Sequence, residues 1–107
     1  MLLTTTTVVF PATTAIVASY LTPIRGSAYS ANFSGIIAWG PADSEFLIYK
    51  NGVYQTGGRI SAAEPTLRLD FDSASLGLIG GDIILVYASH AETTPVTLNC
   101  TLKLELV

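Results

Sequence analysis

From Leu98 to Leu106 apolar and polar residues alternate without a break. Leu98, Cys100, Leu102, Leu104 and Leu106 share one register, and Asn99, Thr101, Lys103 and Glu105 share the other. A period of two marks a strand with one buried face, because successive side chains leave opposite sides of the pleat. Cys100 sits in the apolar register, which makes it a small core residue rather than a nucleophile. Residues 66–72 repeat the pattern, with Leu67, Leu69 and Phe71 on one side and Arg68, Asp70 and Asp72 on the other. No window carries a sustained 3.6-residue stripe with caps. The nearest candidate, residues 61–64, is stopped by Pro65 after one turn.

Turn chemistry divides the remainder into short strands. Residues 46–50 and 53–56 flank Asn51-Gly52, and both central residues of a type I′ turn need positive φ, so this is a hairpin. Gly57-Gly58 then predicts a break or bulge. Gly80-Gly81-Asp82 predicts a second turn, leading into residues 83–88, which are apolar on both faces. Such a strand belongs in the middle of a sheet covered on both sides, or at a subunit interface. Residues 31–39, closed by Gly40-Pro41, and 15–21, closed by Pro23, are further strands. Thr4–Thr7 favours an extended conformation because all four residues are β-branched. The expected class is all-β: a single antiparallel β-sandwich, jelly-roll-like or Ig-like, with an extended Thr-rich N-terminal arm. Residues 1–14 form that arm or an edge strand, and residues 15–107 form the sandwich domain. As an arm, residues 1–14 would be dispensable for folding.

Charge constrains partners. Only 12% of the 107 residues are charged, and five Lys and Arg stand against eight Asp and Glu. Nucleic acid is a poor partner for such a chain, since counterion release needs a basic face. No apolar run approaches the ~18 residues of a spanning helix, so no membrane partner is expected. The segment from Met1 to Ile24 carries no charge, but it opens without Lys or Arg and is interrupted by the Thr run and Pro11, unlike a signal peptide. An uncharged segment with Val8, Val9, Phe10, Ile16 and Val17 is either a neutral Thr-rich strand surface or an interface with other copies of the chain. The interface is the preferred reading, because desolvating charge is costly at interface cores.

Candidate chemistry is sparse. One cysteine and one histidine exclude a Cys cluster, an internal disulfide and a His pair. His90 follows the most apolar strand and is expected as a loop histidine rather than a general base, with no Gly-x-Ser-x-Gly elbow to present a serine. Asp70 and Asp72 could share a calcium ion with Ser73, but a solvated strand edge is the simpler reading. Asp43 and Glu45, near Trp39, read as solvated acids in a turn. The glycine pairs lack the residues of a phosphate loop, and no cofactor or metal is expected. Asn32-Phe33-Ser34 and Asn99-Cys100-Thr101 match the glycosylation tripeptide but carry little weight without a secretion signal. Tyr20, Tyr29, Tyr49, Tyr54, Tyr87 and Trp39 can pack cores and interfaces or stack on sugars. A glycan site would use Trp39, Asp43 and Tyr54.

Phe46-Leu-Ile-Tyr-Lys-Asn-Gly-Val53, then Arg59-Ile60-Ser61, then Leu67-x-Leu69-x-Phe71, then Leu78-x-x-Gly-Gly-Asp-Ile-Ile-Leu-Val86, then Thr101-Leu102-x-Leu104 form an ordered series. It resembles small β-sandwich domains of tailed-bacteriophage virion proteins of head-decoration, tail-tip and fibre type. It is loosely similar to the second half of trimeric jelly rolls of the C1q and tumour-necrosis-factor type. The likeness covers residues 36–106. It implies a non-enzymatic capsid decoration or small tail component, made in the host cytoplasm and built into the virion. Its partners would be itself, as a homotrimer, and a larger virion protein. The alternative is a carbohydrate-binding module that recognises a host receptor.

Overall fold

The computed structural model describes residues 2–24, 29–71 and 76–106, with residues 29, 30 and 106 described by their backbone. Asp72, Ser73 and Ser75, and the side chains of Tyr29 and Leu106, lie outside what is described. Among the described residues nine strands run in chain order: β1 (Leu2–Val9), β2 (Ala15–Leu21), β3 (Tyr29–Trp39), β4 (Glu45–Lys50), β5 (Val53–Arg59), β6 (Thr66–Asp70), β7 (Leu76–Ile79), β8 (Ile83–Ser89) and β9 (Val96–Leu106). They form two packed antiparallel sheets. The first is ordered β1-β9-β3-β6, with β7 also pairing β3, and the second is ordered β2-β8-β4-β5. β6 pairs with residues 35–39 of β3 and β7 with residues 29–33, so the two make one interrupted edge.

β1 and β2 lie in different sheets, and β4–β5 is the hairpin that stays within one. An Ig domain keeps its first two strands in one sheet. The order here is that of a double-sheet jelly roll. The N-terminal segment takes the edge-strand form: β1 pairs with β9 in unbroken register from Leu2 opposite Lys103 to Val9 opposite Val96. It also contributes to the core. Val9 is fully buried, and the Thr5 and Thr7 hydroxyls both donate to the Val17 carbonyl of β2.

The core fills from alternate positions. Leu98, Cys100, Leu102 and Leu104 of β9 face Phe46 and Ile48 of β4 and Ile84, Val86 and Ala88 of β8 across the sandwich. Phe33 and Phe71 meet edge to face, 5.5 Å between ring centres. Burial pushes the Cys100 thiol up to about 12, so it stays protonated and inert. The glycine pair does not break β5, which continues to Arg59, and the strand's register shift falls just before the pair, at Gln55. Close packing explains both glycines. A Cβ on Gly57 would sit 2.6 Å from Leu47, and one on Gly58 would sit 2.9 Å from Leu69.

The two expected turns are joined. Asn51 and Gly52 have φ of 51° and 81°, as a type I′ turn requires. The Asn51 N–H donates to the Ile83 carbonyl at 2.9 Å, and its Oδ1 accepts from the Ile83 N–H at 2.9 Å. Its Nδ2 donates to Asp82 at 3.0 Å, and the same carboxylate accepts from the Ile79 N–H at 2.9 Å. The hairpin tip is thereby tied to the turn before β8.

Candidate assembly surface

The outer faces of the two sheets differ in chemistry. On the first sheet, Thr4, Thr6, Asn99, Thr101, Arg68 and Asp70 alternate outward from the core positions. Thr6 donates to Asn99 Oδ1 at 2.8 Å, the Thr4 and Thr101 hydroxyls lie 3.2 Å apart, and Lys103 bonds Asp70. This face is mainly polar, with the exposed Leu2, Val8 and Trp39 scattered over it.

The second sheet turns the other way. β8 alternates Ile84, Val86 and Ala88 inward with Ile83, Leu85 and Tyr87 outward. Leu85 is paired with Tyr49, and Leu47 with Tyr87, on the neighbouring β4. Ile16 of β2 is opposite Tyr87, and Leu21 is opposite Ile83. Three tyrosines form an edge-to-face series, Tyr54–Tyr49 at 5.8 Å and Tyr49–Tyr87 at 5.2 Å. Leu47, Tyr49, Leu85, Tyr87, Thr14 and Gly52 line a shallow depression of about 290 Å³. Charges stand at the ends of this sheet and are paired: Arg59 with Glu45 at 3.1 Å, Lys50 with Asp82 at 3.8 Å. A strand apolar on both faces is expected to be covered on both sides within the chain or to lie at a subunit interface. β8 has the sandwich core on one side, and none of the described residues forms a layer on the other.

The five residues expected at an interface divide by orientation. Val8, Phe10 and Ile16 are exposed. Val9 and Val17 are instead buried, closing the chain's own core rather than facing a neighbour. Their strands pack against each other inside one chain, so an uncharged segment here serves the fold as well as the surface. Leu47, Leu85 and Tyr87 were missed as surface candidates. The signal for them was the doubly apolar β8 together with the unbroken apolar run of β4, residues 46–49.

The three glycan candidates are not one site. Trp39 projects from the outer face of the first sheet, opposite Thr66 and Asn99. Tyr54 lies on the outer face of the second sheet, with its hydroxyl beside Gly57. Two sheets separate their rings. Asp43 is exposed in a turn with φ of 68°. His90 is buried and acts within the fold. Its Nε2–H donates to the Val9 carbonyl at 2.7 Å, and its Nδ1 accepts from the Glu92 N–H at 3.1 Å. Both ring nitrogens are thus held by backbone. Glu45 is paired with Arg59, and Asp70 with Lys103. No group of three His, Cys, Asp or Glu gathers among the described residues. No helix among them is long and apolar enough to cross a membrane.

No protein-family model and no curated protein matches the chain. Among solved structures, the crystal structure of dimeric latent PorU from Porphyromonas gingivalis is similar over 98% of this chain, with a TM-score of 0.48 and 13% identity. This chain spans 12% of that one.

Proposed function

We propose that the chain is a non-catalytic structural protein of a phage virion, a capsid decoration or a small tail or fibre component. It works by self-association, with a homotrimer as the expected order, and by docking on a larger virion protein. The observation that carries this reading is the apolar outer face of the second sheet, built around Leu47, Tyr49, Leu85 and Tyr87. A contiguous, partly exposed apolar face of this kind marks protein contact sites, and burying it yields roughly 25 cal/mol per Å² before the costs of association. Aromatic residues are enriched at such contacts, and charge is depleted from their centres. The paired charges at the strand ends leave the centre of the face free of ions. The resemblance over residues 36–106 supports the virion assignment, and the engagement of His90 with two backbone groups supports a structural role for the one histidine.

The test is the protein content of purified particles of the virus that encodes the chain. Wild-type chain is expected in the particles, and the double variant Leu47→Lys/Leu85→Lys is expected to be folded but lost from them. Particles that lack the wild-type chain overturn the reading.

One observation favours a second reading, a carbohydrate-recognition module for host adhesion. Trp39 is 49% exposed and is flanked on its face by the polar Thr66 and Asn99. A sugar could stack on that ring. A glycan array gives binders that Trp39→Ala abolishes if this is correct, and no binders if it is not.

A further inference from the structure

We propose that β1 pairs antiparallel with β1 of a second copy across a two-fold axis at Thr5, joining two first sheets into one. This contact uses the edge of the first sheet and does not depend on the apolar face of the second. An unpaired strand edge displays free backbone N–H and C=O groups, and proteins guard such edges with charge, proline, bulges or short length. The other edges here are guarded. β5 ends in Arg59 and pairs β4 with a register shift, β2 has a register shift between Ile16 and Ala18, β6 carries Arg68 and Asp70, and β7 has four residues. β1 has eight residues, no charge, no proline and no register shift. Its inner side is fixed by the Thr5 and Thr7 bonds to Val17, so the strand is held extended before any partner arrives.

The outward row of β1 shows what fits it. Leu2, Thr4, Thr6 and Val8 face outward, and Leu2 and Val8 are 64% and 55% exposed. Two-fold antiparallel pairing keeps outer residues opposite outer residues only when the paired numbers sum to an even value. Centred on Thr5, it sets Leu2 opposite Val8 of the second copy and Thr4 opposite Thr6. The row is its own complement, apolar on apolar and hydroxyl on hydroxyl. A two-fold contact requires such a self-complementary surface. Added backbone hydrogen bonds supply affinity, as in strand addition generally.

The register is tested by charge at the two exposed threonines, with mass read by sedimentation equilibrium and folding by circular dichroism. Wild type is expected at an even multiple of the single-chain mass, a pair of trimers where the apolar face makes the homotrimer. Thr4→Lys/Thr6→Lys places like charges directly opposite across the axis and should weaken the contact by about tenfold or more, halving the mass. Thr4→Lys/Thr6→Glu places Lys opposite Glu in this register and should restore it. In a register centred on Thr4 or on Thr6, the same variant sets Lys against Lys or Glu against Glu and cannot restore it. An unchanged mass in the Lys/Lys variant overturns the two-fold contact and leaves the apolar-face reading standing. Failure of Lys/Glu to restore the mass overturns it too. A wild type that is monomeric throughout overturns both.

Discussion

Ser44 is fully buried, and its Oγ has no hydrogen-bond partner among the described residues. An unsatisfied buried hydroxyl has already lost its water, so removing it relieves a cost. Ser44→Ala is therefore expected to leave stability unchanged or raise it by up to about 1 kcal/mol in urea unfolding. A loss of that size would mean the hydroxyl has a partner. Asp82 is the opposite case. The Asn51 amide and then the Ile79 N–H hold its carboxyl below the ordinary value of 3.8, slight desolvation opposes them, and Lys50 adds to the lowering. Its contribution is thus present above pH 3.8 and is lost as pH falls through the lower folded value. Asp82→Asn should lower stability at neutral pH and flatten the acid limb of the stability curve. An acid limb as steep as wild type would contradict the role given to this carboxylate. Cys100 was legible from its apolar register. Ser44 and His90 were not, because nothing in one sequence shows which polar side chains a loop folds inward.

At the scale of elements, alternation located β6 and β9, the Gly80-Gly81-Asp82 turn and an unbroken apolar run located β8, and Asn51-Gly52 located the β4–β5 hairpin. β1 shows where such reading stops. A run of four threonines has no polarity to alternate, so its inner and outer faces are decided by neighbours: Thr5 and Thr7 face in because the Val17 carbonyl, freed at the β2 register shift, accepts both hydroxyls. β7 escaped because four residues around Gly77 are too short for a periodic signal. The Gly57-Gly58 pair misled because a close approach of neighbours and a chain break call for the same residue. The adjacent valines of β1 make the orientation measurable. Val9→Ala should cost about 2 kcal/mol, the value of a fully buried valine, and Val8→Ala under about 0.5. Equal costs in chemical denaturation would contradict the facing of the strand.

For the whole molecule, the informative contrast is between two outer faces of one sandwich. One is laced with threonine, asparagine and paired charge, with Leu2, Val8 and Trp39 scattered among them. The other sets leucine, isoleucine and tyrosine side by side across β2, β8, β4 and β5. The composition foreshadowed this: a chain with half its residues hydrophobic and 12% charged cannot hide all its apolar surface in one small core. Which sheet would carry the surplus depended on strand order, and that emerges only when β8 takes a central place with nothing among the described residues over it. The central claim is that this face is covered by protein in the working state. Sedimentation equilibrium across micromolar concentrations tests it most directly. Wild-type chain should sediment as a multiple of the single-chain mass, and Leu47→Lys/Leu85→Lys, folded by circular dichroism, should fall to a smaller species. A wild type that stays at the mass of one chain at every concentration, or a lysine variant that assembles as wild type does, would contradict it.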